Sequence, residues 1–125
     1  MSDITRIDTD TRRSRAVIYN GMVFVGGMTA DDRSQDITGQ TKQTLAKIED
    51  FLAKAGTDKS RVLTAQIWIK DLARDFEAMN AVWNAWTAPN AAPTRATAQA
   101  DMGAPDVLVE IIITAAVGEV VISLN

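Results

Sequence analysis

One stretch near the C-terminus constrains the fold more than any other: Val107-Leu108-Val109-Glu110-Ile111-Ile112-Ile113, continuing to Val117. It is β-branched and apolar at odd and even positions alike, so neither face of the strand it forms is suited to water. Val109, Ile111, Ile113 and Ala115 share one face, and Glu110, Ile112, Thr114 and Ala116 share the other. Glu110 is the exception, because a carboxylate among such neighbours is costly without a cation or hydrogen bonds. Arg95, in Ala92-Pro93-Thr94-Arg95-Ala96-Thr97, is the nearest plausible partner, and its planar fork of donors could grip Glu110 or a small acidic ligand.

Elsewhere the pattern alternates between strands and helices. Residues 3–9 suit a short edge strand. Ala16 to Tyr19 and Met22 to Gly27 flank Asn20-Gly21, the strongest short hairpin signal. Gly26-Gly27 closes that hairpin, either as a simple turn or as a place where another group approaches the backbone. Asp36 is placed to cap a helix running to about Ala55, with Ile37, Thr41, Thr44, Leu45, Ile48, Leu52 and Ala55 on one face and Gly56 as its stop. Val62 to Lys70 alternates with period two, which predicts Leu63, Ala65, Ile67 and Ile69 on one face and Val62, Thr64, Gln66 and Trp68 on the other.

A second helix follows, expected to be capped by Asp75, with Phe76, Met79, Val82, Trp83 and Trp86 in one stripe and an end before Pro89. Its tryptophans read as core, while Asn80 beside the stripe needs a partner if buried. Thr94–Ala100 and Val107–Val117 are the last strands, and the short Gly- and Pro-bearing connection suggests antiparallel neighbours. The order βββαβαββ predicts an α+β domain over residues 1–125, with two helices on one face of a mixed or largely antiparallel sheet. The other face, left apolar, points to a closed homo-oligomer.

Composition removes much chemistry. The chain of 125 residues has no Cys and no His, which excludes disulfides, thiolate nucleophiles, imidazole bases and the usual zinc sites. A net charge of −3 with no sustained basic cluster argues against nucleic acid. The opening Met-Ser-Asp-Ile-Thr-Arg does not resemble a signal peptide and no apolar run reaches spanning length, so a cytoplasmic location without membrane contact is the expectation.

Four segments, Gly21-Met22-Val23-Phe24-Val25-Gly26-Gly27, Asp75-Phe76-Glu77-Ala78-Met79-Asn80, Ala92-Pro93-Thr94-Arg95-Ala96-Thr97 and Val109-Glu110-Ile111, resemble in order and spacing the RidA/YjgF family of enamine/imine deaminases. The Arg6-Ile7-Asp8 opening and the Trp83-x-x-Trp86 spacing are similar to its short YoaB-like branch. The resemblance implies a chorismate-mutase-like fold, a homotrimer with clefts between subunits, and cofactor-free hydrolysis of reactive 2-imino acids to 2-keto acids and ammonia. It implies that Arg95 binds the substrate carboxylate, that Glu110 positions or activates water, that backbone around Thr97 and Gly27 holds the imine end, and that Asn80 lies near the cleft. Two positions depart from the family pattern: Gly26 stands where a serine is usual, and Arg13 where an aromatic commonly closes the cleft, which makes Arg13 a candidate lining residue and the pocket more open or more cationic. The alternatives are a non-catalytic, small-carboxylate-binding or regulatory trimer, and a structural Arg95–Glu110 ion pair in a subunit interface.

Overall fold

The computed structural model describes residues 3–118. The outermost residues of the expected domain, 1–2 and 119–125, lie outside the described part. The strands are β1 (Thr5–Thr9), β2 (Ser14–Tyr19), β3 (Met22–Met28), β4 (Val62–Ile69), β5 (Thr94–Gln99) and β6 (Val109–Ala116), and the helices α1 (Ile37–Lys54) and α2 (Leu72–Trp86). They form one six-stranded sheet in the order β1-β2-β3-β6-β4-β5.

The Asn-Gly hairpin forms as its residues demand. Asn20 and Gly21 adopt φ of 54° and 78°, and Tyr19 pairs with Met22 across the turn. Asp36 caps α1 by accepting from the backbone N–H of Gly39, and Gly56, with φ of 83°, follows the helix end.

The expected antiparallel pairing of β5 with β6 does not occur. β6 inserts between β3 and β4, antiparallel to both, and β5 lies at the far edge, parallel to β4. The physical reason is in the side chains: β6 is apolar on both faces and is served best in the middle, while the polar alternation of β5 tolerates an edge. Helix α2 supplies the crossover a parallel pair requires. The connection then returns past the end of β4, where the Lys70 N–H donates to Leu108 O and the Ala100 N–H to Ile69 O.

Two local expectations also need correction. Asp71, not Asp75, caps α2 by accepting from the N–H of Arg74; Asp75 sits inside the first turn, buried, and takes two bonds from the Arg74 guanidinium at 3.0 and 2.9 Å. In β4 the parity fails at its start, because a register shift between Val62 and Thr64 turns Val62 into the core and leaves Leu63 43% exposed.

Both helices cover one sheet face. Val23, Val25 and Met28 of β3, Ala65, Ile67 and Ile69 of β4, and Val109, Ile111, Ile113 and Ala115 of β6 meet Leu45, Ile48 and Leu52 of α1 and Met79 and Trp83 of α2 in a single core. The opposite face carries Tyr19, Phe24, Leu63 and Trp68, all substantially exposed, around Ile112 and Thr114. No described helix is long and apolar enough to cross a membrane.

Candidate functional site

The singled-out residues fall into two groups on opposite faces of the sheet. Arg95 is opposite Ala65 of β4, whose side chain is buried under the helices, so in a parallel pair Arg95 also points to the helix side. There its Nη1 donates to Asn80 Oδ1 of α2 at 2.7 Å, and its guanidinium lies 5.7 Å from the centre of the Trp83 ring. The partner that Asn80 needed is therefore Arg95. Burial lowers the Arg95 pKa from its ordinary value, and the guanidinium stays charged at neutral pH. Among the described residues no carboxylate lies within ion-pair distance of it.

Thr97 is two residues along the same face, and its hydroxyl is buried without a hydrogen-bond partner. An open groove of about 860 Å³ runs past Arg95, Thr97 and Gln99 on one side and past Leu72, Arg74, Phe76 and Glu77 of α2 on the other. Strand and helix run in opposing directions along it, with the Leu72 N–H held by Gln99 Oε1 at 3.0 Å at one end and Asn80 beside Arg95 at the other. Sequence reading missed the groove-lining role of Phe76, Glu77 and Gln99 and the contact of Trp83 with Arg95. The parity of Arg95, Thr97 and Gln99 was the available signal; which element that face would meet could not be seen before the parallel pairing was known.

Glu110 faces the other way. It is opposite Trp68, which is 38% exposed, and it alternates with Val109 and Ile111, both wholly buried under the helices. Its carboxylate lies over Gly27 of β3. A Cβ at Gly27 would overlap Glu110 Oε2 and stand 3.0 Å from Cδ and 3.3 Å from Cγ. The register slips here: Val25 is opposite Ile113 but Met28 is opposite Ile111, so β3 holds an extra residue at Gly26-Gly27. Of the two sequence readings of this pair, close approach by another group is thus the observed one for Gly27. Gly26 lies beside the start of β2, where an added Cβ would be 3.5 Å from Arg15 O.

Arg13 occupies the β1–β2 turn, exposed, with its N–H on Asp10 Oδ1 at 2.9 Å and its carbonyl accepting from the Asp10 N–H. The β2–β3 register brings this turn to the same end of the sheet as Gly26-Gly27. Among the described residues no hydrogen bond or ion pair joins it to Glu110. One chain therefore holds a cationic half, Asn80-Arg95-Thr97, and a carboxylate half, Gly27-Glu110, that do not face each other.

This split arrangement can be set beside known proteins. The sequence pattern of the family described as Endoribonuclease L-PSP matches residues 3–117. The chain belongs to that family. It is 46% identical over 114 residues to a RutC family protein of Haemophilus ducreyi, covering 91% of this chain and 97% of that one. Its identity to the RutC family protein YoaB of Escherichia coli is 42%, over 91% and 98% of the two chains. The crystal structure of NMB1025, a YjgF family member from Neisseria meningitidis, superposes with a TM-score of 0.90 at 39% identity, covering 94% of this chain and 98% of that one. A more distant relative is the chloroplastic Reactive Intermediate Deaminase A of Arabidopsis thaliana, 32% identical over 69% of this chain and 48% of the relative. The RidA/YjgF assignment and its fold, expected from the four segments above, are thus established.

Proposed function

We propose that the chain assembles as a homotrimer and hydrolyses reactive 2-imino acids to 2-keto acids and ammonia, in clefts where Arg95 of one subunit meets Glu110 of its neighbour. One observation carries this reading: Arg95 is half-buried, fixed by Asn80 and Trp83, free of any described carboxylate, and open to a groove. A cation held in that way is built to receive an anion. A substrate carboxylate on Arg95 would lie far from Glu110 of the same chain, whereas a second copy docked on the apolar open face would bring the two halves together. The deaminase name of the Arabidopsis relative supports the class of reaction.

The chemistry asks little of the protein. A protonated imine carbon is already electrophilic, so the site must fix the carboxylate and orient a water. Glu110 accepts a proton as the water oxygen bonds to the imine carbon. That proton then passes to nitrogen, Glu110 takes the hydroxyl proton as the C–N bond breaks and the C=O bond forms, and ammonia leaves with the keto acid behind. Arg95, Asn80 and backbone groups near Thr97 and Gly27 hold the rest of the substrate. No step in this scheme calls on a cofactor. Arg13, at the Gly27 end of the sheet, would add positive charge at the rim.

The test is 2-iminopropionate generated in situ and trapped with semicarbazide. The trapped imine should fall faster with the protein than without it, and Arg95→Ala should abolish the difference. Saturable binding of 2-ketobutyrate with no imine turnover would replace the enzyme with a carboxylate-binding regulatory trimer.

A further inference from the structure

Gln40, on the buried face of α1, is only 1% exposed and uses its amide more fully than any other described side chain. Nε2 donates to Asp106 O at 2.9 Å, Gln35 O at 3.0 Å and Arg33 O at 3.2 Å, and Oε1 accepts from the Leu108 N–H at 2.9 Å. These partners belong to two separate pieces of chain. Arg33 and Gln35 lie in the loop that leaves β3 just after Gly27, and Asp106 and Leu108 lie in the segment leading into β6 just before Glu110. One buried amide therefore ties the strand carrying Gly27 to the strand carrying Glu110.

We infer that Gln40 is the positioning residue of the carboxylate half-site, setting where Glu110 lies against Gly27. The inference rests on the deaminase reading only for its effect on rate. Leu108 is two residues upstream of Glu110, and its carbonyl is also held, by the Lys70 N–H at 3.0 Å. The start of β6 is thus gripped from α1 on one side and β4 on the other. Without the amide, the part-buried Leu108 N–H and the carbonyls of Arg33, Gln35 and Asp106 lose the one group that joins them, and the two segments are no longer tied through α1. The register slip at Gly26-Gly27 means that regular pairing does not fix this neighbourhood unaided. The exposed Arg33–Asp106 pair at 3.1 Å joins the same two segments, but a surface ion pair is a weak substitute.

Gln40→Met, of similar volume and helix preference, removes all four bonds. A displacement of Glu110 by about 1 Å should lower kcat on the order of 10²-fold. KM and the Kd of 2-ketobutyrate, governed by the Arg95 half, should stay close to wild type. Gln43→Leu is the control: it cuts the bond from the Asp32 N–H to Gln43 Oε1 at 3.0 Å, loosening the same loop without touching β6, and should leave kcat unchanged. Should Gln40→Met fail to fold, Gln40→Glu keeps the acceptor for Leu108 and loses the donors, and the same readings apply. A folded Gln40 variant with wild-type kcat, or a Gln43→Leu variant with an equal loss, overturns the inference. If the wild-type protein turns over no imine, the deaminase reading fails by itself. A crystal structure of the Gln40 variant then decides: Glu110 displaced from Gly27 upholds the positioning role, and Glu110 in place ends it.

Discussion

Replacing Gly27 by alanine is a sharp perturbation because the structure states what the new methyl group meets. It would overlap Glu110 Oε2 and stand 3.0 Å from Cδ, closer than the 3.4 Å at which ordinary contact begins. The Gly27 backbone does not have a positive φ, so alanine brings no backbone strain and restricts the unfolded chain, a gain of about 0.4–1 kcal/mol. Against this stands the overlap, which the flexible end of Glu110 can relieve by swinging away; overpacking costs about 1–3 kcal/mol at a rigid site and less here. The net change in stability should be within about 1 kcal/mol, a small shift in Tm. The carboxylate, however, must retreat by roughly 1 Å, and a misplacement of that size costs on the order of 10²-fold in rate. Thermal unfolding and imine turnover measured on one preparation separate the two effects. Wild-type turnover in a folded Gly27→Ala protein would refute the role given to Glu110.

The remaining predictions address other parts of the molecule. Asn80→Ala should weaken 2-ketobutyrate binding about tenfold, in keeping with loss of a hydrogen bond to a charged group, as calorimetric titration would show; an unchanged Kd would mean that Asn80 does not hold Arg95 in its binding pose. Val62→Ala should cost about 1–2 kcal/mol in denaturant unfolding and Leu63→Ala clearly less in the monomer, the reverse of what simple alternation implies. Asp10 is held below its ordinary 3.8 by the Arg12 N–H first and the Arg13 N–H second. With its folded pKa depressed, its contribution is present above that value and is lost as pH falls through the folded one. Asp10→Asn should therefore flatten the acid limb of Tm against pH, and superimposable profiles would count against the turn.

The hairpin at Asn20-Gly21, the α1 cap at Asp36 and the core stripe of α1 were legible because each depends on residues close in sequence. The pairing of β5 was not, because it turns on which strand most needs the middle of the sheet, a competition settled across the whole chain. The bulge at Val62-Leu63 and the cap at Asp71 were lost for a smaller reason: alternation and spacing each allow a neighbouring solution, and only packing chooses. Arg95, Glu110, Asn80, Thr97, Gly27 and Arg13 could be picked out by type and resemblance. That Arg95 and Glu110 lie on opposite faces follows from the pairings Ala65 with Arg95 and Trp68 with Glu110, which no single strand reveals. Gln40 did not stand out in the sequence, since Asp106 and Leu108, the partners that give it its bridging role, lie 66 and 68 residues away.

The central claim is that each site is shared between two copies of the chain, and mixing two inactive variants tests it most directly. Arg95→Ala lacks the anion-binding half and Glu110→Gln lacks the carboxylate half, so each homo-oligomer alone should be inactive. Unfolded together and refolded as mixed oligomers, verified by native mass spectrometry, they should regain part of the imine turnover, because some clefts then receive both intact halves from different subunits. Mixed oligomers that form and stay inactive would contradict the shared site.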